Sequence, residues 1–476
     1  MKPTRSWLLP AAVTVAAVLA CGAILIASRA AAASFNVFIY LAANLIVFLD
    51  MLDFGLRLHL RRMGRGPDVS GASDEMSVAL GIQGITPYQK RLHLRPYALI
   101  ASIHNTGDHL DNFLEAMEPY RDHLWVVDDA STDDTLTRVR QAGWRCLDGL
   151  HNRKKPGAIR RLLATLPPEV ETVMVLDPDI AIRDAKDKEL SHLEAIIFDF
   201  QRSGMAAMCP RIAIKKDGLL ARFQSLEYGM AFVVGRCSLA DHSITSGIAL
   251  YRRSALEFAL AKHSLSVYAE DLENSVILLG AGERIYYDGR LVIETEGVAS
   301  VRQWFSQRVG WSYGLIKIYV EHFGEIWSVG CKGFIVGYQF LVYLGVFSLA
   351  FQPLKILAFG LLVLSFLGGL GSFFGFEVVP DLAAANPIYF LAAYAKYLLL
   401  SLVAFCIVVP RDQRLHVLPI VPLYFFYALL QIVPISVGYA NWLSLRLGGR
   451  RLFKDHYQDE ESLTRPDYLP GSAEKA

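Results

Sequence analysis

Acidic residues end short apolar runs at three places in this chain: VVDDASTDD (Val126 to Asp134), VLDPD (Val175 to Asp179) and YAED (Tyr268 to Asp271). A carboxylate at a strand end is costly to desolvate unless a partner uses it, and a metal ion or a phosphate-bearing ligand would do so. Asp177 and Asp179 are two residues apart, and in an extended chain residues i and i+2 point to the same side. The pair can therefore hold a hard divalent cation, Mg2+ or Mn2+, that bridges diphosphate oxygens. A lone Asp-x-Asp also occurs in surface turns; its place directly after an apolar strand distinguishes this one. Asp128 and Asp129 end the preceding strand, where a carboxylate can accept a hydrogen bond from a nucleobase N–H. Ser131 and Asp134 read instead as a turn with a capping box. Asp271 stands before an expected helix, Leu272 to Leu279, and is either its N-cap or a general base for an acceptor hydroxyl.

Two further stretches carry chemistry. Asn152-Arg153-Lys154-Lys155-Pro156-Gly157-Ala158 opens a helix whose core stripe is Ile159, Leu162, Leu163 and Leu166. Basic residues there are either a solvated turn or, with the helix dipole, a phosphate site. Val301 to Lys317 reads as an amphipathic helix lying at a membrane interface, with Trp304, Phe305 and Trp311.

Positioning these groups requires a sheet. Ala98 to Ile103, Leu124 to Val127 and Val173 to Leu176 read as buried parallel strands, alternating with helices Leu110 to Met117, Leu136 to Gln141 and Pro156 to Leu166. This βα series predicts an α/β fold with its ligands at the carboxyl ends of the strands. Met63 to Pro96 lacks periodicity and reads as a linker.

Around this block lie apolar runs of membrane length: Trp7 to Ser28, Phe35 to Leu56, Gly333 to Ala350, Leu354 to Phe374, Pro387 to Val409 and Val417 to Gly438. The first is longer than a signal-peptide core and reads as an anchor. Arg57, Arg61, Arg62 and Arg65 follow the second run, and Arg446, Arg450, Arg451 and Lys454 follow the last, which places both clusters and the central block in the cytoplasm. The acidic loop Phe376 to Asn386 and the basic pair Arg411 and Arg414 run against that rule. Lys396 either snorkels or pairs with an acid such as Asp50, and the tyrosines of the spans serve packing, an interface belt or a sugar-lining conduit. A chain that is 53% hydrophobic and 20% charged fits one part in lipid and one in water. Net charge +1 gives no nucleic-acid footprint, and the six cysteines, none at metal-ligand spacing, read as reduced.

Taken together and in this order, the motifs resemble the membrane-embedded processive glycosyltransferases of family 2, the cellulose, hyaluronan and poly-N-acetylglucosamine synthases. The resemblance covers about Tyr97 to Gly314 and the arrangement of spans around it. It implies a Rossmann-like GT-A domain in the cytosol with a bundle of about six spans. The divisions are two transmembrane helices (1–62), a linker (63–96), the GT-A domain (97–298), interface helices (299–332), four transmembrane helices (333–445) and a cytosolic tail (446–476). By resemblance, Ser102, Asn105, Asp129, Lys155 and Asp177 bind the nucleotide sugar, and Asp179 binds Mg2+ or Mn2+. Asp271 is the base, and Ser246, Gly247, Glu270, Gln307 and Trp311 face the acceptor.

The function implied is an inverting hexosyltransferase of the inner (plasma) membrane. It would elongate a β-linked polysaccharide from a nucleotide-sugar donor, a UDP-sugar first among them, and move the product across the bilayer. The expected partners are a carbohydrate or glycolipid acceptor, membrane lipid and accessory secretion subunits, with no nucleic acid. Two features depart from the family pattern. The family arginine before Trp311 is Gly310, with Arg308 expected toward the other side of the helix and Lys154 or Arg153 expected to compensate. The first-strand motif reads Ser102-Ile103-His104-Asn105-Thr106, without its glutamate. The alternatives are a single-transfer enzyme acting on a lipid and a degenerate, non-enzymatic scaffold.

Overall fold

The computed structural model describes residues 51–61, 85–107, 109–149, 151–183, 191–215, 218–375 and 388–455. The first expected span, most of the second, Asp50, Cys21, most of the linker, the acidic loop after the fourth span and the tail beyond residue 455 lie outside these residues.

Eight strands form one sheet in the order β3-β2-β1-β4-β7-β6-β8-β5. β1 (Tyr97–Ile103), β2 (Leu124–Asp128), β3 (Cys146–Asp148) and β4 (Thr172–Leu176) are its parallel half. β1 and β4 are almost wholly buried, as strands covered on both faces must be. One face carries Ala98, Ile100, Val173 and Val175 against Ile159, Leu162 and Leu163. The other carries Leu99, Ala101, Met174 and Leu176 against Leu110, Phe113 and Ile196.

The three segments expected as parallel strands are β1, β2 and β4, and they run parallel; the other half of the sheet is mixed. β7 (Ala249–Arg252) runs antiparallel to both β4 and β6 (Ala207–Ile214), and β5 (Ile180–Arg183) runs antiparallel to β8 (Ile285–Thr295). Within the linker, Pro87–His93 is a helix with a capping box from Thr86 and Gln89, and Lys90 ties it to the buried Asp199.

The helices that matter for the site are α1 (Leu110–Met117), α2 (Lys154–Leu163), α3 (Glu270–Gly280), α4 (Val301–Glu321) and α5 (Tyr424–Arg446). Among the described residues, one helix, Arg414–Arg446, is long and apolar enough to cross a membrane by length and composition, and Phe334–Ala350 and Ala393–Val408 are shorter apolar helices. α4 packs along α5 over Gly438, where a Cβ would lie 2.6 Å from the Val309 carbonyl oxygen and 2.7 Å from Ser312 Cβ. Trp304 is buried in this contact and donates its indole N–H to the Tyr427 hydroxyl at 3.0 Å. Helix 51–61 joins the bundle through Arg57, which pairs with Asp53 and donates to the buried Gln339.

Candidate active site

The carboxyl end of β2 turns sharply. Asp128 accepts the Ser131 N–H through Oδ2, and Ala130 takes a positive φ of 61°. Asp129 is buried at 3% exposure, and its Oδ1 accepts the Arg153 backbone N–H at 2.7 Å. Burial raises its pKa above the usual carboxylate range. The expected capping box of Ser131 and Asp134 does not form. The Ser131 hydroxyl accepts from Asn105 N–H, Asp134 makes no side-chain cap, and Asp133 accepts the Thr135 N–H instead. Asn105 faces this turn, its carbonyl oxygen taking the Thr132 N–H at 2.8 Å.

α2 begins one turn before Gly157, at Lys154. That start brings Lys155 to the end of β4. Its Nζ donates to Asp177 Oδ1 at 2.5 Å, to the Gly247 carbonyl at 2.9 Å and to Glu270 Oε1 at 3.1 Å. Burial alone would lower the lysine pKa; the Asp177 and Glu270 carboxylates outweigh it and hold the ammonium above the ordinary lysine range. Gly247 fits beneath this cluster because a Cβ there would lie 3.0 Å from Asp177 Oδ2 and 3.2 Å from Lys155 Nζ.

Asp179, exposed at the cavity wall, accepts the Thr295 hydroxyl at 3.0 Å, and its pKa is raised first by partial desolvation and then by the charge of Asp177. Two crowded oxygen-donor carboxylates fit a hard divalent cation, whose charge would relieve that repulsion. Among the described residues no group of three or more His, Cys, Asp or Glu side chains gathers to hold a metal, so a cation here would draw on ligand and water oxygens for the rest of its shell.

Asp271 lies in the first turn of α3, whose N-cap is Ala269 rather than Asp271. Its Oδ1 accepts the Leu272 N–H at 2.8 Å. Burial first, and the neighbouring Glu270 charge second, push its pKa up to about 6, poised for proton transfer near neutrality.

One cavity of about 1390 Å3 joins these groups. Ser102, Asp129, Lys155, Asp177, Asp179, Ser246, Gly247, Glu270, Asp271, Gln307 and Trp311 all line it, and Asn105 does not. It continues between the apolar helices to Gln339, Tyr343, Gln352, Lys355 and Gln431. The Ser246 hydroxyl is turned onto the Ile248 carbonyl at 2.6 Å, and Gln307 Oε1 is buried without a hydrogen-bond partner.

Arg308 was expected to face away but lines the cavity. It pairs with Glu227 at 2.7 Å and lies 4.3 Å over the Trp311 ring, three residues along the same helical face. Arg153 contributes a backbone amide at Asp129, and Lys154 lines the cavity. Sequence reasoning missed Glu227, Arg236 and Thr295, which also line it. None of the three stands in a strand-end acidic motif, so no local signal marked them.

No family model and no curated protein matches the chain. Among solved structures, it is similar to a mannosyltransferase from Pyrobaculum calidifontis in complex with GDP-mannose and Mn2+. The two share 15% identity, with a TM-score of 0.49 over 87% of this chain and 99% of that one. It is also similar to glucosyl-3-phosphoglycerate synthase from Mycobacterium tuberculosis, solved with Mn2+, UDP and glucosyl-3-phosphoglycerate. Here the identity is 16% and the TM-score 0.32, over 52% of this chain and 84% of that one.

Proposed function

We propose that this protein is an inverting glycosyltransferase that works at a membrane, taking a sugar from a nucleotide-diphosphate donor. The observation that carries the reading is that Asp271, Lys155, Asp177 and Asp179 share one cavity. The nucleotide lies toward Asp129 and Ser102. The diphosphate lies beside Lys155, whose ammonium holds negative charge in place as the leaving group departs. Asp177 and Asp179 would hold Mg2+ or Mn2+, which when bound offsets diphosphate charge. Asp271 takes the proton of the acceptor hydroxyl as that oxygen bonds to the anomeric carbon and the bond to the diphosphate breaks. Attack opposite the leaving group gives a β-linkage from an α-linked donor.

The product we propose is a β-linked polysaccharide that leaves through the cavity between the apolar helices, across a bundle of about six spans with the catalytic block in the cytoplasm. Gln339, Gln352 and Gln431 on that path offer hydroxyl partners that lipid-facing helices do not need. A second reading, single transfer to a lipid acceptor, is favoured by Leu400, Phe425, Leu429 and Ile432 on the same walls.

The test is nucleotide release by the purified protein from a panel of UDP- and GDP-sugars with and without Mn2+, followed by partition of labelled product between water and organic solvent. Water-soluble, high-mass product supports the polymer, and extractable product the lipid acceptor. Asp179→Asn should abolish metal-dependent release while leaving the thermal transition nearly unchanged; unaltered metal dependence would remove the cation from this pair.

A further inference from the structure

The segment that follows α5 returns to the catalytic turn. Gly448, with φ of 79°, reverses the chain, and the Gly449 N–H bonds back to the Ser444 carbonyl at 2.8 Å. The fully buried Asn441 on α5 then clamps the returning segment, accepting the Leu452 and Phe453 N–H groups and donating to the Phe453 carbonyl.

This places Arg451 and Asp455 on Tyr268, a side chain with 0% exposure. The Tyr268 hydroxyl donates to Asp455 Oδ1 at 2.7 Å and accepts from Arg451 Nη1 at 2.5 Å, and Arg451 also pairs with Asp455. The guanidinium lies 5.1 Å over the Tyr268 ring and 4.7 Å over that of Tyr313, which meets Tyr268 edge-on. Burial, and next the Asp455 carboxylate, keep the hydroxyl protonated and therefore a donor. On its other side the turn is pressed by α4, since a Cβ at Gly314 would lie 3.0 Å from the Ala269 backbone nitrogen. Ala269 itself is left-handed, with φ of 54°. A non-glycine residue there is strained and persists only where its surroundings fix it. The residues after it are Glu270 and Asp271.

We propose that Arg451 and Asp455 form a latch that, through the Tyr268 hydroxyl, holds the Ala269 turn and so aims Asp271 at the acceptor. They are positioning residues, and the charges that follow the last helix serve catalysis as well as topology. The inference rests on the reading of Asp271 as the base.

The test uses the full-length protein in detergent, with the nucleotide sugar that gives the fastest wild-type release, and separates turnover from binding. Tyr268→Phe removes one oxygen and keeps the ring. It should lower kcat by about 10- to 100-fold, the scale expected for a reacting group displaced by about an ångström. UDP or GDP should still bind with wild-type stoichiometry and affinity by calorimetry. Asp455→Asn should act in the same direction, and the double variant should be no slower than Tyr268→Phe alone, because both break one link. A merely structural role would instead lower binding stoichiometry and kcat together.

Wild-type turnover in Tyr268→Phe, or additive losses in the double variant, overturns the latch. Asp271→Asn is the control. If Asp271→Asn turns over normally, the base assignment falls and the latch with it. If Asp271→Asn is inactive while Tyr268→Phe turns over normally, the latch alone falls.

Discussion

Lys155→Met keeps the length of the side chain and deletes its charge, leaving Asp177 and Glu270 to face each other without their shared ammonium. In the native protein the Nζ atom is 2.5 Å from one carboxylate and 3.1 Å from the other. Removing one partner of a fully buried ion pair costs about 3–5 kcal/mol. Asp177 is 34% exposed, so water screens part of the remaining repulsion and about 2 kcal/mol is the expected loss of stability. Donor binding should fall by about 10- to 150-fold, the worth of a charged hydrogen bond to phosphate. The pH dependence should move as well. As the proposed base, Asp271 works only when ionised, so transfer should rise with pH through about 6 and level off above. The Lys155 charge lowers the pKa of Asp271; without it the pKa rises and the acid limb shifts to higher pH. Calorimetric titration with UDP or GDP, thermal unfolding and the pH profile of nucleotide release measure the three effects. Adding Glu270→Gln to Lys155→Met should restore stability without restoring donor affinity, because it removes an uncompensated charge and replaces no phosphate contact. Unchanged donor affinity in Lys155→Met, together with a double variant no more stable than the single one, would refute this account of the cluster.

Asp271→Asn should abolish transfer and raise stability at neutral pH. The folded-state pKa near 6 lies above the ordinary aspartate value of 3.8, so the ionised carboxylate destabilises the fold as pH rises from 3.8 through 6, by about 1–3 kcal/mol at pH 7. Thermal unfolding against pH should show the difference from wild type shrinking to zero below pH 4. Gly438→Ala should destabilise by about 1–3 kcal/mol, because the new methyl meets the Val309 carbonyl rather than a flexible side chain; thermal unfolding of the purified protein checks it.

The parallel half of the sheet was legible because β1, β2 and β4 are short continuous apolar runs with helical stretches between them. The other half was not, for reasons local to its strands. β6 carries Pro210 inside it, and β8 carries Asp288-Gly289, residues that ordinarily end strands or turn them. The structure accommodates both at one place: Pro210 lies opposite Asp288, and the register of β6 against β8 shifts between Pro210 and Arg211. Asp288 is held there by Arg290, which also binds the buried Asp199. In the site, carboxylates at strand ends could be read from position alone. The Lys155–Glu270 contact spans 115 residues, and the Arg308–Glu227 pair spans 81, so neither leaves a local pattern. Arg308 shows the limit of helical spacing as a guide: its long side chain curls over Trp311 and into the cavity.

α4 is a coupling rod. It is fastened to α5 at Trp304, on Tyr427, and at Val309 and Ser312, which seat over Gly438, and just beyond them, at Gly314, it bears on the Ala269 turn. Its 21 residues span about 30 Å. Gly314 lies two residues, about 3 Å of helix, beyond Ser312, so a shift of about an ångström at the Gly438 seat reaches the bearing point undiminished. That is the scale on which a reacting group loses its alignment. Whatever displaces α5 against α4 is therefore delivered to Ala269 as a movement of that size.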